Sequence, residues 1–469
     1  MRAVLADNAG YAWGWHQLAI WLTGQQAFAD AEAAIEQLLK LQPQNAWAQR
    51  QLALVRLKQG DKAGAQKVFS SVLDASPTDQ YAAENLFDLQ LEVGNLSGAT
   101  ETLRRMQTHQ PGARTLAREV ILNARTGNKS AALNFFSTLC KQPDPDPWPV
   151  QVAADTLKKA GLTGGTLKIL KRVLVSSSCN PQAGATAIQF LIDKRQDLRA
   201  MRLFGRIRSV EAQTRAAAVL ARGLGQLNAR LSLRILLWRH REIFFKDDAA
   251  WGQVGYALAR FKRMSAVVEW MTNWRSRPNV EPWMLFNLCY ALRHLGRYLE
   301  ANEVAEFAVR KWGYRQQEGA DLRLFLAVEK ALVGSIGGAM ENMQRVHVRA
   351  NVQHDLQIQA IAKTLIEFQQ SPPENRRQQF KAVRQQLGKV FPAGKTLKAG
   401  RDVRRTLRRA GKVFVQKGAG PGASAWFLWK LNWQWSLLPL APFLIILGLF
   451  PPVLIGLILW FLVRQARRK

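Results

Sequence analysis

The sequence predicts an all-α protein. Its body reads as a right-handed helical solenoid, followed by basic amphipathic helices and a C-terminal transmembrane or re-entrant helical segment. Three observations carry this: a 34-residue internal repeat, a charge imbalance confined to the later part of the chain, and a long uncharged stretch near its end.

Residues 1–150 hold 14 Lys/Arg and 14 Asp/Glu, so the net charge of +32 lies wholly in residues 151–469. With 48% apolar residues over 469 positions, the chain has ample material for an extended core. Cys140, Cys179 and Cys289 show no CxxC or zinc spacing and are too few for a disulfide framework, which fits a reducing compartment. Asp7 and Asn8 interrupt the start of the chain, so no cleavable secretory signal is evident.

The repeat is read position by position. Leu18, Leu52 and Leu86 recur at 34 residues, as do Ala31, Ala65 and Ala99, then Pro43, Pro77 and Pro111; Gly60 and Gly94 are also 34 apart. Ile35, Phe69 and Leu103, then Leu38, Val72 and Met106, supply the bulky positions. Each unit reads as two amphipathic helices with a Gly-marked turn between them. The alanine permits close approach, and a proline stops the second helix. Gly127, Ala132, Phe136 and Pro143 mark a fourth unit, and Gly161, Leu170 and Pro181 a fifth. Residues 185–245 are helical but hard to phase. Trp251, Val254, Gly255 and Leu258 then mark one returning unit, and Trp283, Phe286, Tyr290, Ala301 and Ala305 the next. Helical periodicity continues over Leu322–Leu365.

This pattern resembles the tetratricopeptide repeat. In the first unit Trp15, Leu18, Ala19, Leu22, Ala31, Ile35, Leu38 and Pro43 occupy the family's signature places, with Leu22 where Tyr is usual. The resulting organisation is repeats in clear register over 1–181 and degenerate repeats over 182–370. A basic amphipathic linker follows over 371–422, then a membrane anchor over 423–469.

The resemblance implies that the first helix of each unit lines a concave face where extended peptides lie. Trp13, Trp47 and Tyr81 would form an aromatic row there, joined by His16, Arg50 and Glu84, then by Ile20, Leu54 and Asp88. Such a row either anchors a peptide or merely covers the neighbouring helix. Spacing cannot choose between the two; ring exposure can. Chaperone-binding members of the family use a clamp of Lys, Asn, Asn, Lys and Arg. Its places here are His16, Ile20, Gln51, Tyr81 and Asn85, so no complete clamp forms.

Catalytic patterns are missing from the sequence: no HExxH, GxSxG, GxxxxGK[ST] or GxGxxG occurs. His347 and His354 are seven apart without acidic company, Cys289 sits among apolar residues, and Asp247–Asp248 suits a helix start. No catalytic residue, metal site, cofactor or small-molecule substrate is expected.

Residues 376–417 hold 14 basic side chains against Asp402. Val403, Leu407, Ala410 and Phe414 make an apolar stripe, with Arg404, Arg405, Arg408, Arg409 and Lys412 around it; Phe380, Val383, Leu387 and Val390 repeat the pattern. An anionic lipid surface attracts such a helix, whereas nucleic acid, the competitor for this charge, lacks any recognition motif here. Beyond the joint at 418–422, 33 uncharged residues separate Lys430 from Arg464, with Trp426, Trp429, Trp433 and Trp435 at one end and Trp460 near the other. That exceeds the ~20 residues a spanning helix needs. Pro451-Pro452 leaves a kinked span and a re-entrant hairpin both open.

The functional expectation is a membrane-anchored adaptor. Its solenoid, on the cytoplasmic side, would bind a protein or extended peptide and recruit it to an anionic membrane. Two alternatives stand: an accessory part of an enzyme system whose catalytic domain lies upstream or on another chain, and a nucleic-acid-binding membrane protein.

Overall fold

A computed structural model describes residues 2–312, 319–346, 353–390 and 401–418. The described residues form helices and turns, with no strand among them. The chain divides into two compact units, Met1–Phe261 and Lys262–Lys469.

The first unit is a run of paired helices. After α1 (Arg2–Asp7), the pairs are α2 (Ala12–Gly24) with α3 (Phe28–Leu41), α4 (Ala46–Gln59) with α5 (Lys62–Ala75), and α6 (Gln80–Glu92) with α7 (Leu96–His109). Then come α8 (Ala113–Arg125) with α9 (Lys129–Lys141), α10 (Trp148–Lys159) with α11 (Thr163–Val173), and α12 (Pro181–Asp193) with α13 (Asp197–Phe204). The unit closes on α14 (Val210–Gln226), α15 (Arg230–Lys246) and α16 (Asp248–Arg260).

Local chemistry explains this punctuation. Asn45 and Asp79 cap α4 and α6 by accepting from Ala48 N and Ala82 N, and Asp61 and Asn95 cap α5 and α7 in the same way. Each such cap contributes about 1 kcal/mol. At the turn inside every pair one residue takes the left-handed conformation: Gln26, Gly60, Gly94, Gly127, Gly161, Arg195 and Asn228 in this unit. Those positions follow one another at 33 or 34 residues. The repeat therefore runs unbroken through 185–245, where Arg195 and Asn228 stand in place of glycine.

The repeat positions form the core. Leu18, Leu52, Leu86, Ala31, Ala65, Ala99, Ile35, Phe69 and Leu103 are all buried. Further along, α12, α14 and α16 stack closely. A Cβ at Gly184 would fall 2.5 Å from the Ala212 carbonyl oxygen, and one at Gly225 2.9 Å from Ala257 Cα, so these two glycines set how near the helices lie.

The second unit begins with α17 (Met264–Trp270), α18 (Pro282–Leu295), α19 (Tyr298–Trp312), α20 (Ala320–Leu332), α21 (Ile336–Gln344) and α22 (Gln353–Gln370). Left-handed turns recur at Lys262, Gly296 and Gly334. Two more helices, α23 (Arg376–Val390) and α24 (Arg401–Gly418), complete it. The sequence sets residues 371–422 apart as a linker beside a membrane. The structure corrects this for the described part: α23 and α24 pack on α22, and α24 also meets α20. Val383, Leu387, Val403, Leu407, Ala410 and Phe414 join one buried cluster with Leu324, Leu365 and Phe368. The expected anchor at 423–469 lies outside the described residues. Among the described residues no helix is long and apolar enough to cross a membrane.

Gly60→Ala is expected to lower stability by about 1–2 kcal/mol through backbone strain alone, because φ is +90° and the space around it is open. Gly184→Ala, which meets a backbone oxygen, should cost about 3 kcal/mol. Gly24→Ala, in helical conformation and open space, should be neutral or mildly stabilising. Denaturant midpoints of the three variants check the order.

Candidate functional site

The first helices of successive pairs present equivalent positions on one face. The first row starts with Trp13, Trp47 and Tyr81, as the sequence reading anticipates. Trp13 is 57% exposed, Tyr81 42%, and Trp47 half-buried. Trp13 and Tyr81 are therefore open to water, whereas Trp47 packs in part against the buried cluster of α2, α3 and α4.

Trp13 lies against Tyr11 at the start of its own helix, and the rings that follow are backed by the preceding unit. His16 of α2 stacks on Trp47 of α4 at 4.0 Å between centroids. The Arg50 guanidinium of α4 lies 5.9 Å from the Tyr81 ring centre of α6, and is held by Asp79 at 3.7 Å. Glu84 of α6 pairs with Arg114 of α8 at 3.1 Å. One side chain of each first helix thus fixes the row residue of the next, the same contact made three times with different chemistry.

The row then continues where sequence reasoning stopped. The turn glycines Gly94, Gly127 and Gly161 step by 33 and then 34 residues, which places Arg114 and Trp148 in register with Tyr81. Arg114 bridges Glu84 and Asp146 and lies 5.3 Å over the Trp148 ring, with Arg118 at 4.9 Å on the same ring. The Arg118 side chain is 1% exposed and bonds Asp88 at 3.1 Å and Glu84 at 3.4 Å. Burial pushes the Asp88 carboxyl above its ordinary value while Arg118 opposes the shift. Half of that side chain still meets solvent, and its carboxylate faces the Arg118 guanidinium at 3.1 Å. The shift of one residue after Pro111 hid Arg114, Arg118 and Trp148 from a fixed 34-residue count; following the turn glycines would have found them.

Arg50, Asp79, Gln80, Tyr81, Glu84 and Arg114 line a groove of about 460 Å³ on this face. Its charges are paired, Arg50 with Asp79 and Arg114 with Glu84, and Tyr81 is the aromatic ring in its lining. Such a groove suits an extended chain that offers polar groups to the walls and one apolar side chain to the Tyr81 ring.

The second set of expected residues lies on α24. Its apolar stripe, taken from sequence as a lipid face, is core: Val403, Ala410 and Phe414 are fully buried and Leu407 is 8% exposed. The cations divide accordingly. Arg409 makes a two-bond pair with the buried Glu329 and lies 3.6 Å from the Tyr298 ring centre. Arg405 donates to the His294 carbonyl at 2.7 Å. Arg404 is half-buried, while Arg408 and Lys412 face solvent. The five residues do not act as one charged face: Arg405 and Arg409 hold the helix to its own unit.

Among the described residues no group of three or more His, Cys, Asp and Glu side chains could hold a metal. Cys140, Cys179 and Cys289 are buried, and burial pushes the Cys140 thiol up, away from thiolate chemistry.

Residues 22–84 match the tetratricopeptide repeat family model. Tetratricopeptide-type repeats are thus present in the first unit. No curated protein matches the chain. Among solved structures, the chain is similar to a tetratricopeptide repeat protein from Parabacteroides merdae ATCC 43184, with 13% identity, 56% of this chain and 97% of that one covered, and a TM-score of 0.31. It is also similar to a chain of the APC/C hetero-tetramer Cut9-Hcn1, with 13% identity, 92% and 95% covered, and a TM-score of 0.28. A third is from Naa15/Naa10 bound to HypK-THB, with 14% identity, 92% and 72% covered, and a TM-score of 0.26. At these identities and scores the likeness says nothing about partners.

Trp13→Ala and Tyr81→Ala should each change stability by less than about 1 kcal/mol, as open surface residues do. Trp251→Ala, at a fully buried ring, should cost about 3–5 kcal/mol. On α24, Arg409→Ala leaves Glu329 buried and unpaired and should cost about 3 kcal/mol, whereas Arg408→Ala should be nearly silent. Chemical denaturation followed by far-UV circular dichroism checks both contrasts.

Proposed function

We propose that this chain is a membrane-anchored scaffold. In this reading it binds an extended segment of a partner protein along the row Trp13, Trp47, Tyr81 and Trp148 and holds that partner at a membrane. The observation that carries the reading is the row itself: Trp13 and Tyr81 are open to water, and Trp47, Tyr81 and Trp148 are fixed from behind by His16, Arg50, Arg114 and Arg118. Rings already immobilised lose little entropy when a ligand packs on them, so their contact area goes into affinity.

Membrane attachment is proposed from sequence alone. The 33 uncharged residues between Lys430 and Arg464, with tryptophans near both ends, support insertion through the C-terminal segment. In this reading the repeats lie on the cytoplasmic side. Nothing catalytic is assigned to the chain.

The test places a photoreactive phenylalanine analogue at Gln80, beside Tyr81, in the full chain in native membranes. Irradiation should yield one dominant cross-linked polypeptide, and Trp47→Ala with Tyr81→Ala should reduce that adduct at least tenfold without loss of helicity. An adduct unchanged by both substitutions would place the partner elsewhere. Separately, a chain ending at Gly422 should leave the membrane fraction in high salt without detergent. Retention of the shortened chain would remove the tail from its role as anchor.

A further inference from the structure

The segment 194–246 holds 13 Lys/Arg against Asp197, Glu211 and Glu242, and the structure turns almost all of that charge outward. Arg199, Arg202, Arg206, Arg208, Arg234 and Arg239 are all exposed. Two of the three acids are occupied: Asp197 accepts from the Ser232 hydroxyl, and Glu242 pairs with Lys246. Among the described residues, no carboxylate lies within ion-pair distance of Arg202, Arg206, Arg208 or Arg234.

Large apolar side chains stand out to solvent on the same two helices. On α15, Leu231, Arg234 and Trp238 fall at helical spacing on one stripe, with Leu231 69% and Trp238 80% exposed. On α13, Leu198 is 55% exposed and shares its helix with Arg199 and Arg202. The Asp197–Ser232 bond ties the first turns of α13 and α15 together, so Leu198 and Leu231 are each the chain neighbour of a residue in that bond. Arg239 lies 5.9 Å from the Trp238 ring centre. Both helices are second members of their pairs, whereas the ring row lies on first helices.

We propose that this face of α13 and α15 docks on an anionic lipid surface, with Trp238, Leu231 and Leu198 seated at headgroup depth and the surrounding arginines bound to lipid phosphates. Arginine on the phosphates and tryptophan and leucine at the boundary match the two layers a membrane offers together. A phosphate backbone alone would use the arginines and leave the leucines and Trp238 in water, which favours lipid over nucleic acid. The proposal adds a lipid-facing surface to the scaffold reading and rests on it only for placing the chain at a membrane.

The test uses the full chain with Leu231→Cys labelled by an environment-sensitive fluorophore; Cys140, Cys179 and Cys289 are buried and spared under native conditions. The labelled chain is mixed with phosphatidylcholine vesicles or with vesicles containing phosphatidylglycerol, and flotation is read alongside fluorescence. Flotation reports the tail; a blue-shifted, brightened probe reports this face. The expected result is a probe response in phosphatidylglycerol vesicles alone, lost in high salt. In the triple variant Arg202→Glu, Arg206→Glu and Arg234→Glu it should be weakened about a hundredfold or more, with flotation and helicity kept. A Trp238→Ala variant should keep the salt dependence and lose most of the brightening. A chain that floats while its probe stays dark would overturn the lipid face and leave the anchored scaffold standing. A response of equal size in neutral vesicles, or a response to single-stranded RNA and not to vesicles, would overturn it as well.

Discussion

A helix pair of this length cannot cover its own apolar flank. Alone, α4 and α5 would leave the outward sides of Leu52 and Phe69 to water; the preceding pair covers Leu52, the next pair covers Phe69, and its own flank is covered in turn. Every unit is stable only as a neighbour. The small residues are what let this covering happen at contact distance. Ala31, Ala65 and Ala99 sit fully buried at the crossing points, and Gly184 and Gly225 do the same work more severely where α12, α14 and α16 stack. The left-handed turn residue inside each pair keeps the crossing constant from one unit to the next.

The same dependence builds the groove. Beyond Trp13, the rings of the row are held from the preceding pair: Trp47 by His16, Tyr81 by Arg50, Trp148 by Arg114 and Arg118. The stacking that buries the core therefore also orders the surface that a ligand meets. A change in the angle between units would separate stacked rings from their backing side chains before it exposed any core residue.

Much of this architecture could be read from residue identities, and the failures have physical causes. The early repeats were evident because Leu, Ala and Pro hold invariant volume and backbone roles at each position. Residues 185–245 resisted phasing because their turns use Arg195 and Asn228, and because α12 is buried on nearly all sides, which erases amphipathic contrast. Trp13, Trp47 and Tyr81 were found by spacing, whereas Arg114, Arg118 and Trp148 were lost to a one-residue shortening. The basic helix α24 shows the opposite error. Its pattern was read correctly as amphipathic, but a sequence cannot say whether an apolar stripe meets lipid or protein, and here it meets Phe368 and Leu365.

The pairing of Arg409 with Glu329 has a consequence for how the chain folds during synthesis. In the first unit each helix finds its partner about one repeat away, so packing can advance as residues emerge. Glu329 must wait for a residue 80 positions later in the chain. Until α24 has been made, that carboxylate and the apolar surfaces of α20 and α22 stay uncovered, and the closing loop is among the longest in the protein. The packing of α24 on α20 and α22 is therefore the late step in the second unit. A pause in translation between α22 and α24 would hold that unit in its most aggregation-prone form, while the first unit, built from short loops, would be indifferent to the same delay.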